Sequence, residues 1–111
     1  MTKEQLINYQ SLKREHRRLE QRIRVLERRP ESEEATLRPL REFYKEKLDE
    51  LTRAQLEIER AIASLTPVER DLIRLRYIDN YPWHRVAAEI HYSEPQTLRI
   101  HGEILKKLKK L

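Results

Sequence analysis

The chain has 111 residues, one glycine and no cysteine, and 39% of its side chains are charged. This length allows one domain or two small helical units, and so little glycine with so much charge favours long helices over sheet. The lack of cysteine excludes disulfides, thiol catalysis and cysteine-rich zinc sites.

The net charge of +5 is a mild basic excess. Residues 1–65 carry 15 basic and 13 acidic side chains, and residues 66–111 carry 9 and 6. Such an excess suits a polyanionic partner without demanding one. No apolar run approaches the roughly 20 residues that a membrane span needs, and the N-terminus lacks a signal-peptide core. We therefore expect a cytoplasmic protein with no membrane partner.

Residues 1–65 are predicted to form a helical hairpin. From about Lys3 to Arg29, spacings of three and four connect Tyr9, Leu12, His16, Leu19, Ile23 and Leu26, of which only His16 is polar. Pro30 ends this helix. A second, less regular apolar series follows at Leu37, Leu40, Tyr44, Leu48, Leu51, Ile58, Ile62 and Leu65. Two helices joined by a short break fold back antiparallel. Because two helices enclose only a narrow core, we expect a second copy or the C-terminal unit to cover it.

Residues 66–111 contain two capped helix starts on either side of a short apolar helix. Thr66-Pro67-Val68-Glu69 is a capping box, and Ser93 with Gln96 repeats the device. Between them, helical spacing connects Trp83, Val86, Ala87 and Ile90. A short apolar helix, a tight turn and a serine-capped helix predict a helix-turn-helix.

At these residues the chain resembles region four of bacterial sigma factors. The matching pieces are Leu75-Arg76-Tyr77, Val86-Ala87-Ala88-Glu89-Ile90, Ser93, and Ile104-Leu105-Lys106-Lys107-Leu108. Through Tyr92-Ser93 and Arg99-Ile100-His101-Gly102 it is also similar to small phage and prophage regulators of the ArpU/RinA type, in which a helical N-terminal half precedes such a domain. The resemblance implies a transcriptional regulator of phage or prophage origin that contacts RNA polymerase. Glu94, Pro95 and Leu98 stand where sigma factors carry basic residues, so we expect either an operator other than a promoter −35 element or weaker binding that dimerisation supports.

The last helix is predicted to have a core face and a DNA face. Thr97, Ile100, Ile104, Leu108 and Leu111 recur at helical spacing on the first face, with Leu105 beside them. The opposite face carries Gln96, Arg99, Glu103, Lys106 and Lys110. Residues near the start of such a helix meet the DNA, so Ser93 is also a candidate for DNA contact, while Gln96 suits adenine and Arg99 suits guanine or phosphate. The alternative is an ordinary solvent-exposed face that makes no contact with DNA.

Other residues are assigned more weakly. Arg85 and His84 lie on the first helix of the motif and are candidates for phosphate contact, with plain surface as the alternative. The lysines from Lys106 to Lys110 are a phosphate anchor, or merely favourable charge at a helix C-terminus. Trp83 is expected in the core, and Gly102 where a neighbouring helix approaches closely. Arg76 is expected to make a local hydrogen bond or to pair with an acidic side chain.

No catalytic constellation, phosphate-binding glycine loop or metal-ligand cluster is found, so no enzyme activity and no cofactor are expected. The sequence thus predicts an all-α protein: a long antiparallel, coiled-coil-like hairpin (1–65) that mediates homo-oligomerisation or partner binding, then a compact helix-turn-helix domain (66–111) that binds double-stranded DNA. Two alternatives stay open: a phage packaging component similar to a small terminase, and a protein-only adaptor that binds polymerase.

Overall fold

Six helices make up most of the chain in the computed structural model, which describes residues 1–111 and contains no strand. They are α1 (Lys3–Ile7), α2 (Tyr9–Glu27), α3 (Glu34–Ala63), α4 (Pro67–Ile73), α5 (Trp83–Ile90) and α6 (Glu94–Lys109). A 3-10 turn, Glu31–Glu33, precedes α3, and a π-helical segment, Arg74–Ile78, extends α4. The predicted all-α class is confirmed. None of these helices combines the length and apolar character needed to cross a bilayer.

By packing, the chain divides into two compact units. One, which we call the body, consists of Met1–Gln10 and Glu57–Leu111; the other, the hairpin unit, is Ser11–Leu56. The body therefore includes both ends of the predicted 1–65 segment. The division of function at residue 65 stays a prediction.

In the hairpin unit, α2 and α3 run antiparallel. The His16 ring Nε2 lies 2.9 Å from the Thr52 hydroxyl, and the Lys45 ammonium lies 3.5 Å from the Glu27 carboxylate. As the residue number rises along α2, the partner's number falls along α3. The turn between them contains Pro30, as predicted. Of all the side chains in this unit, only Ile23 is buried.

The predicted first helix is interrupted at Asn8, so the expectation of one helix from Lys3 to Arg29 was wrong there. A capping box between Thr2 and Gln5 starts α1, and Asn8 ends it. Asparagine is a weak helix former because its side chain competes for backbone hydrogen bonds. Leu6 and Tyr9, on either side of the break, are both buried in the body.

The body core forms where α4, α5 and α6 pack on one another. Its fully buried side chains are Leu6, Ile58, Leu72, Ile73, Val86, Thr97, Ile104 and Leu108. Two predicted features position α4: the Thr66–Glu69 capping box is present, and Pro67 occupies the first turn, where no backbone donor is needed. The turn before α5 holds Asn80 in the left-handed region, with φ of 56°, a conformation that asparagine tolerates better than most residues.

Candidate nucleic-acid interface

A tight turn joins α5 to α6. His91 adopts the left-handed conformation (φ 62°, ψ 38°), and its backbone N–H donates to carbonyls at the end of α5. The Tyr92 amide also donates to the Ala87 carbonyl, at 3.1 Å. Left-handed closure of this kind satisfies the last carbonyls of a helix and ends it sharply. The turn therefore begins α6 immediately after α5, as the helix-turn-helix prediction requires.

The predicted cap of α6 is present and uses both side chains. The Ser93 hydroxyl accepts from the Gln96 amide at 3.3 Å. The Gln96 carboxamide oxygen accepts from the Ser93 backbone N–H at 3.2 Å and from the Ser93 hydroxyl at 3.0 Å. Two residues assigned to DNA contact are thus also the residues that start the helix, and the Gln96 Nε2 is the part of the carboxamide left outside the cap.

The core face of α6 differs from the predicted one at three positions: Ile100 is only half-buried, and the other two are His101 and Leu111. Thr97, Ile104 and Leu108 are buried as expected, but the fourth buried residue is His101. Leu111 was predicted in the core and is instead 66% exposed, because α6 ends at Lys109. His101 lies at helical spacing from both Thr97 and Leu108, and this spacing could have predicted its burial. It was not assigned to the core because histidine is polar.

The opposite face of α6 is open to solvent. All five predicted side chains are exposed there: Gln96, Arg99, Glu103, Lys106 and Lys110. No hydrogen bond or ion pair ties the side chains of Arg99, Lys106 or Lys110 to the rest of the protein. Three cations therefore lie on one helical face without an internal partner.

Lys107, one of the lysines predicted as a phosphate anchor, makes an ion pair within the body, and its contact with phosphate stays a prediction. Its ammonium lies 2.7 Å from the Glu69 carboxylate. Burial by itself raises the pKa of Glu69, but hydrogen bonds from Lys107 and Thr66 outweigh it and leave the pKa below its usual value. Lys107 thus ties the end of α6 to the start of α4.

Arg85 and His84 are exposed in the first turn of α5. The Arg85 guanidinium lies over the Tyr81 ring, 3.7 Å from its centroid. A cation held on an aromatic face keeps its charge and outward donors while losing side-chain freedom. The Arg85 side chain is therefore held against Tyr81, whereas His84 has no such contact in the structure.

A buried polar cluster surrounds His101. The Tyr77 hydroxyl lies 2.5 Å from its Nε2, and the half-buried Trp83 ring meets it edge-on at 4.7 Å between centroids. Burial, with added repulsion from Lys3 and Arg76, lowers the pKa of His101 to about 4. Arg76 stacks over Trp83 at 4.5 Å and donates to the Tyr81 carbonyl at 3.0 Å, as its predicted local hydrogen bond requires. The cluster therefore holds a neutral histidine inside the body.

Two further positions on the outward side of α6 are Leu98 and Gly102. Leu98 is 47% exposed beside Arg99, although it is a large apolar side chain. A Cβ built on Gly102 meets no atom within 4 Å, so the predicted close approach of a neighbouring helix was wrong. The outward side of α6 thus combines cationic side chains, one exposed apolar side chain and a glycine with free space around it.

No group of three or more His, Asp or Glu side chains is placed to hold a metal ion. No curated protein and no solved structure matches the chain. A family model does match it over residues 21–110, a range that includes the C-terminal part of α2 and all of α3 to α6. The protein is therefore a member of the family described as "Protein of unknown function (DUF722)".

Proposed function

We propose that this protein is a sequence-specific transcriptional regulator, of phage or prophage origin, that binds duplex DNA through α6. One observation carries the proposal: a serine-capped helix follows a tight turn, buries one face in the body, and leaves the opposite face of Gln96, Arg99, Glu103, Lys106 and Lys110 in solvent. This is the arrangement in which a helix-turn-helix inserts its second helix into the major groove.

Each exposed residue has a role that its position suits. Arg99, in the second turn of α6, is placed for the O6 and N7 acceptors of guanine. Leu98 beside it offers an apolar contact for the methyl group of thymine. Lys106 and Lys110 lie farther along and suit the phosphate backbone, as does the pre-ordered Arg85. Glu103 repels phosphate, so we expect it to contribute to discrimination between sites.

The resemblance to sigma region four supports a role at promoters, with RNA polymerase as a second partner. It rests on the pieces already named, among them Leu75-Arg76-Tyr77, which lies in the π-helical segment. Polymerase contact and DNA contact are separable properties, and they need separate measurements.

The test begins with selection of bound sequences from random duplex DNA at a stated salt concentration. On the selected duplex, Arg99→Ala is expected to raise the Kd by about 5- to 150-fold, the equivalent of one lost bidentate base contact. Arg17→Ala is the matched control, because it removes the same charge from an exposed site on α2. Lys106→Ala is expected to weaken binding to all sequences alike and to reduce the log–log salt slope by about one.

Three outcomes would refute the proposal. If selection enriches no sequence, specific DNA recognition is absent. If Arg99→Ala and Arg17→Ala weaken binding equally, the contact is only electrostatic. If polymerase binds while duplex DNA does not, the protein-only adaptor is correct. Closed rings in light scattering would favour the packaging alternative over a regulator.

A further inference from the structure

The hairpin unit has one apolar face that its own residues leave uncovered. Among its large apolar side chains, Val25, Leu40 and Phe43 are 50%, 41% and 51% exposed. Val25 and Leu40 line a groove of about 450 Å³, and Phe43 lines a second groove of about 390 Å³. The grooves share Arg22 and Tyr44, so they adjoin on the same side of the helix pair. We call this side the groove face.

Little inside the unit compensates for this exposure. Ile23 is its one buried side chain, and two helices by themselves make a narrow core. Burying a large apolar side chain fully contributes about 1.5–3 kcal/mol. The apolar side chains of the groove face therefore contribute little to stability while they are exposed. A partner that buries them would add that stabilisation.

The charges of the two helices indicate how a second copy would fit. Within the hairpin unit, α2 carries six basic and three acidic side chains, whereas α3 carries five basic and five acidic ones. Placing α2 on the α2 of another copy would bring two helices of charge +3 together. Placing α2 on the partner's α3 opposes a charge of +3 to a neutral helix. The second arrangement follows from a two-fold axis parallel to the helices, which also makes every neighbouring pair antiparallel, as in a four-helix bundle.

We propose that the groove face pairs with the groove face of a second copy of this chain, α2 against the partner's α3, to form a four-helix bundle. A two-fold axis parallel to the helices preserves height along them. The contact between His16 and Thr52 fixes the register of α2 against α3. Because the two helices are antiparallel, Arg18 lies at the same position along the helix axes as Glu50. Arg18 of one copy then lies level with Glu50 of the other. This pairing does not depend on DNA binding.

Sedimentation equilibrium on the full chain tests the pairing. The wild-type protein is expected to have twice the 13.6 kDa mass of one chain. Phe43→Glu puts a carboxylate into the apolar interface and is expected to raise the dimer dissociation constant at least about 30-fold. Leu56→Glu is the matched control: Leu56 is 42% exposed in the same unit but lines neither groove, so the dimer is expected to persist.

A charge exchange tests the orientation without disturbing the apolar surface. Arg18→Glu and Glu50→Arg are each expected to weaken the dimer several-fold, because each sets like charges at one height. Together they are expected to restore it. Glu50 also pairs with Lys47 at 3.5 Å, but both side chains are about half exposed and such a pair is weak.

A monomeric wild-type chain at about 100 µM, some hundred times a micromolar dissociation constant, overturns the proposal. So does a closed ring, a dimer that survives Phe43→Glu, or a double charge exchange that fails to restore what each single change weakened. Circular dichroism identifies a variant that has merely unfolded. In that case Val25→Glu replaces Phe43→Glu and is judged by the same criterion.

Discussion

The body and the hairpin unit bury very different amounts of apolar surface. The body has eight side chains that are essentially inaccessible, among them Leu72, Val86 and Ile104, whereas the hairpin unit has only Ile23 below one tenth exposure. Both are helical and both are rich in charge. The difference teaches that helix content does not show whether a unit can bury its own apolar side chains. Three helices that pack on one another enclose a core, whereas a pair of helices leaves one side of its contact open.

The largest effect expected from this comparison concerns core truncation. Ile104→Ala removes a fully buried side chain from the body and is expected to cost about 3–4 kcal/mol of unfolding free energy in urea. Leu48→Ala, in the half-buried contact line of the hairpin, is expected to cost about 1 kcal/mol. Equal losses would show that the hairpin core is as well packed as the body core.

The next effect is a pH dependence that comes from the body. His101 has a pKa of about 4 when folded and about 6.5 when unfolded. Below pH 6.5 the unfolded chain gains the proton first, so stability is full above that pH and falls as the pH drops towards 4. The expected loss is about 2 kcal/mol between pH 7 and pH 4.5. Denaturant titrations of wild type and His101→Gln at several pH values measure this loss. If the unfolding free energies of the two proteins change equally between pH 7 and pH 4.5, the prediction is contradicted.

A smaller effect separates two lysines of the same helical turn. Lys107→Ala leaves the buried Glu69 carboxylate without its ion-pair partner and is expected to cost about 1–2 kcal/mol. Lys109→Ala removes the same charge from the same helix end and is expected to stay within about 0.5 kcal/mol. Thermal unfolding of the two variants side by side decides the matter; indistinguishable midpoints would mean that the Glu69–Lys107 pair contributes nothing.

The smallest expected change is a gain. Gly102→Ala fills open space in the middle of α6 and is expected to stabilise the body by about 0.5–1 kcal/mol. Ala88→Gly, at an exposed position of α5, is the reverse control and is expected to cost a similar amount. If Gly102→Ala instead destabilises the protein, something in solution approaches α6 more closely than its own chain does.

Features encoded by neighbouring residues were predictable from the sequence. Both capping boxes, Thr66 with Glu69 and Ser93 with Gln96, are present because each depends on four consecutive residues and little else. The all-α class followed from composition and period. The exposed face of α6 agreed with the prediction for the same reason, since helical spacing alone fixes which side chains share a side.

Features that depend on distant packing were not predictable. The pairing of Lys107 with Glu69 joins residues 38 positions apart, and the burial of His101 depends on Tyr77 and Trp83. A polar side chain at a core spacing reads as surface until its partner is known. The break at Asn8 was missed because the apolar period continues through it, and a period reports which side is buried, not whether the backbone is continuous.

In the DNA complex that we propose, the cap of α6 would limit the bases that Gln96 can recognise. A glutamine that reads adenine must donate from its nitrogen to N7 and accept at its oxygen from the N6 amino group. In this chain both acceptor positions of that oxygen are filled by Ser93, through its amide and its hydroxyl. Gln96 can therefore only donate, unless the helix gives up its cap. In that complex its nitrogen could donate to guanine, to the O4 of thymine, or to phosphate. The choice of base opposite Gln96 would therefore be restricted because the same side chain caps the helix.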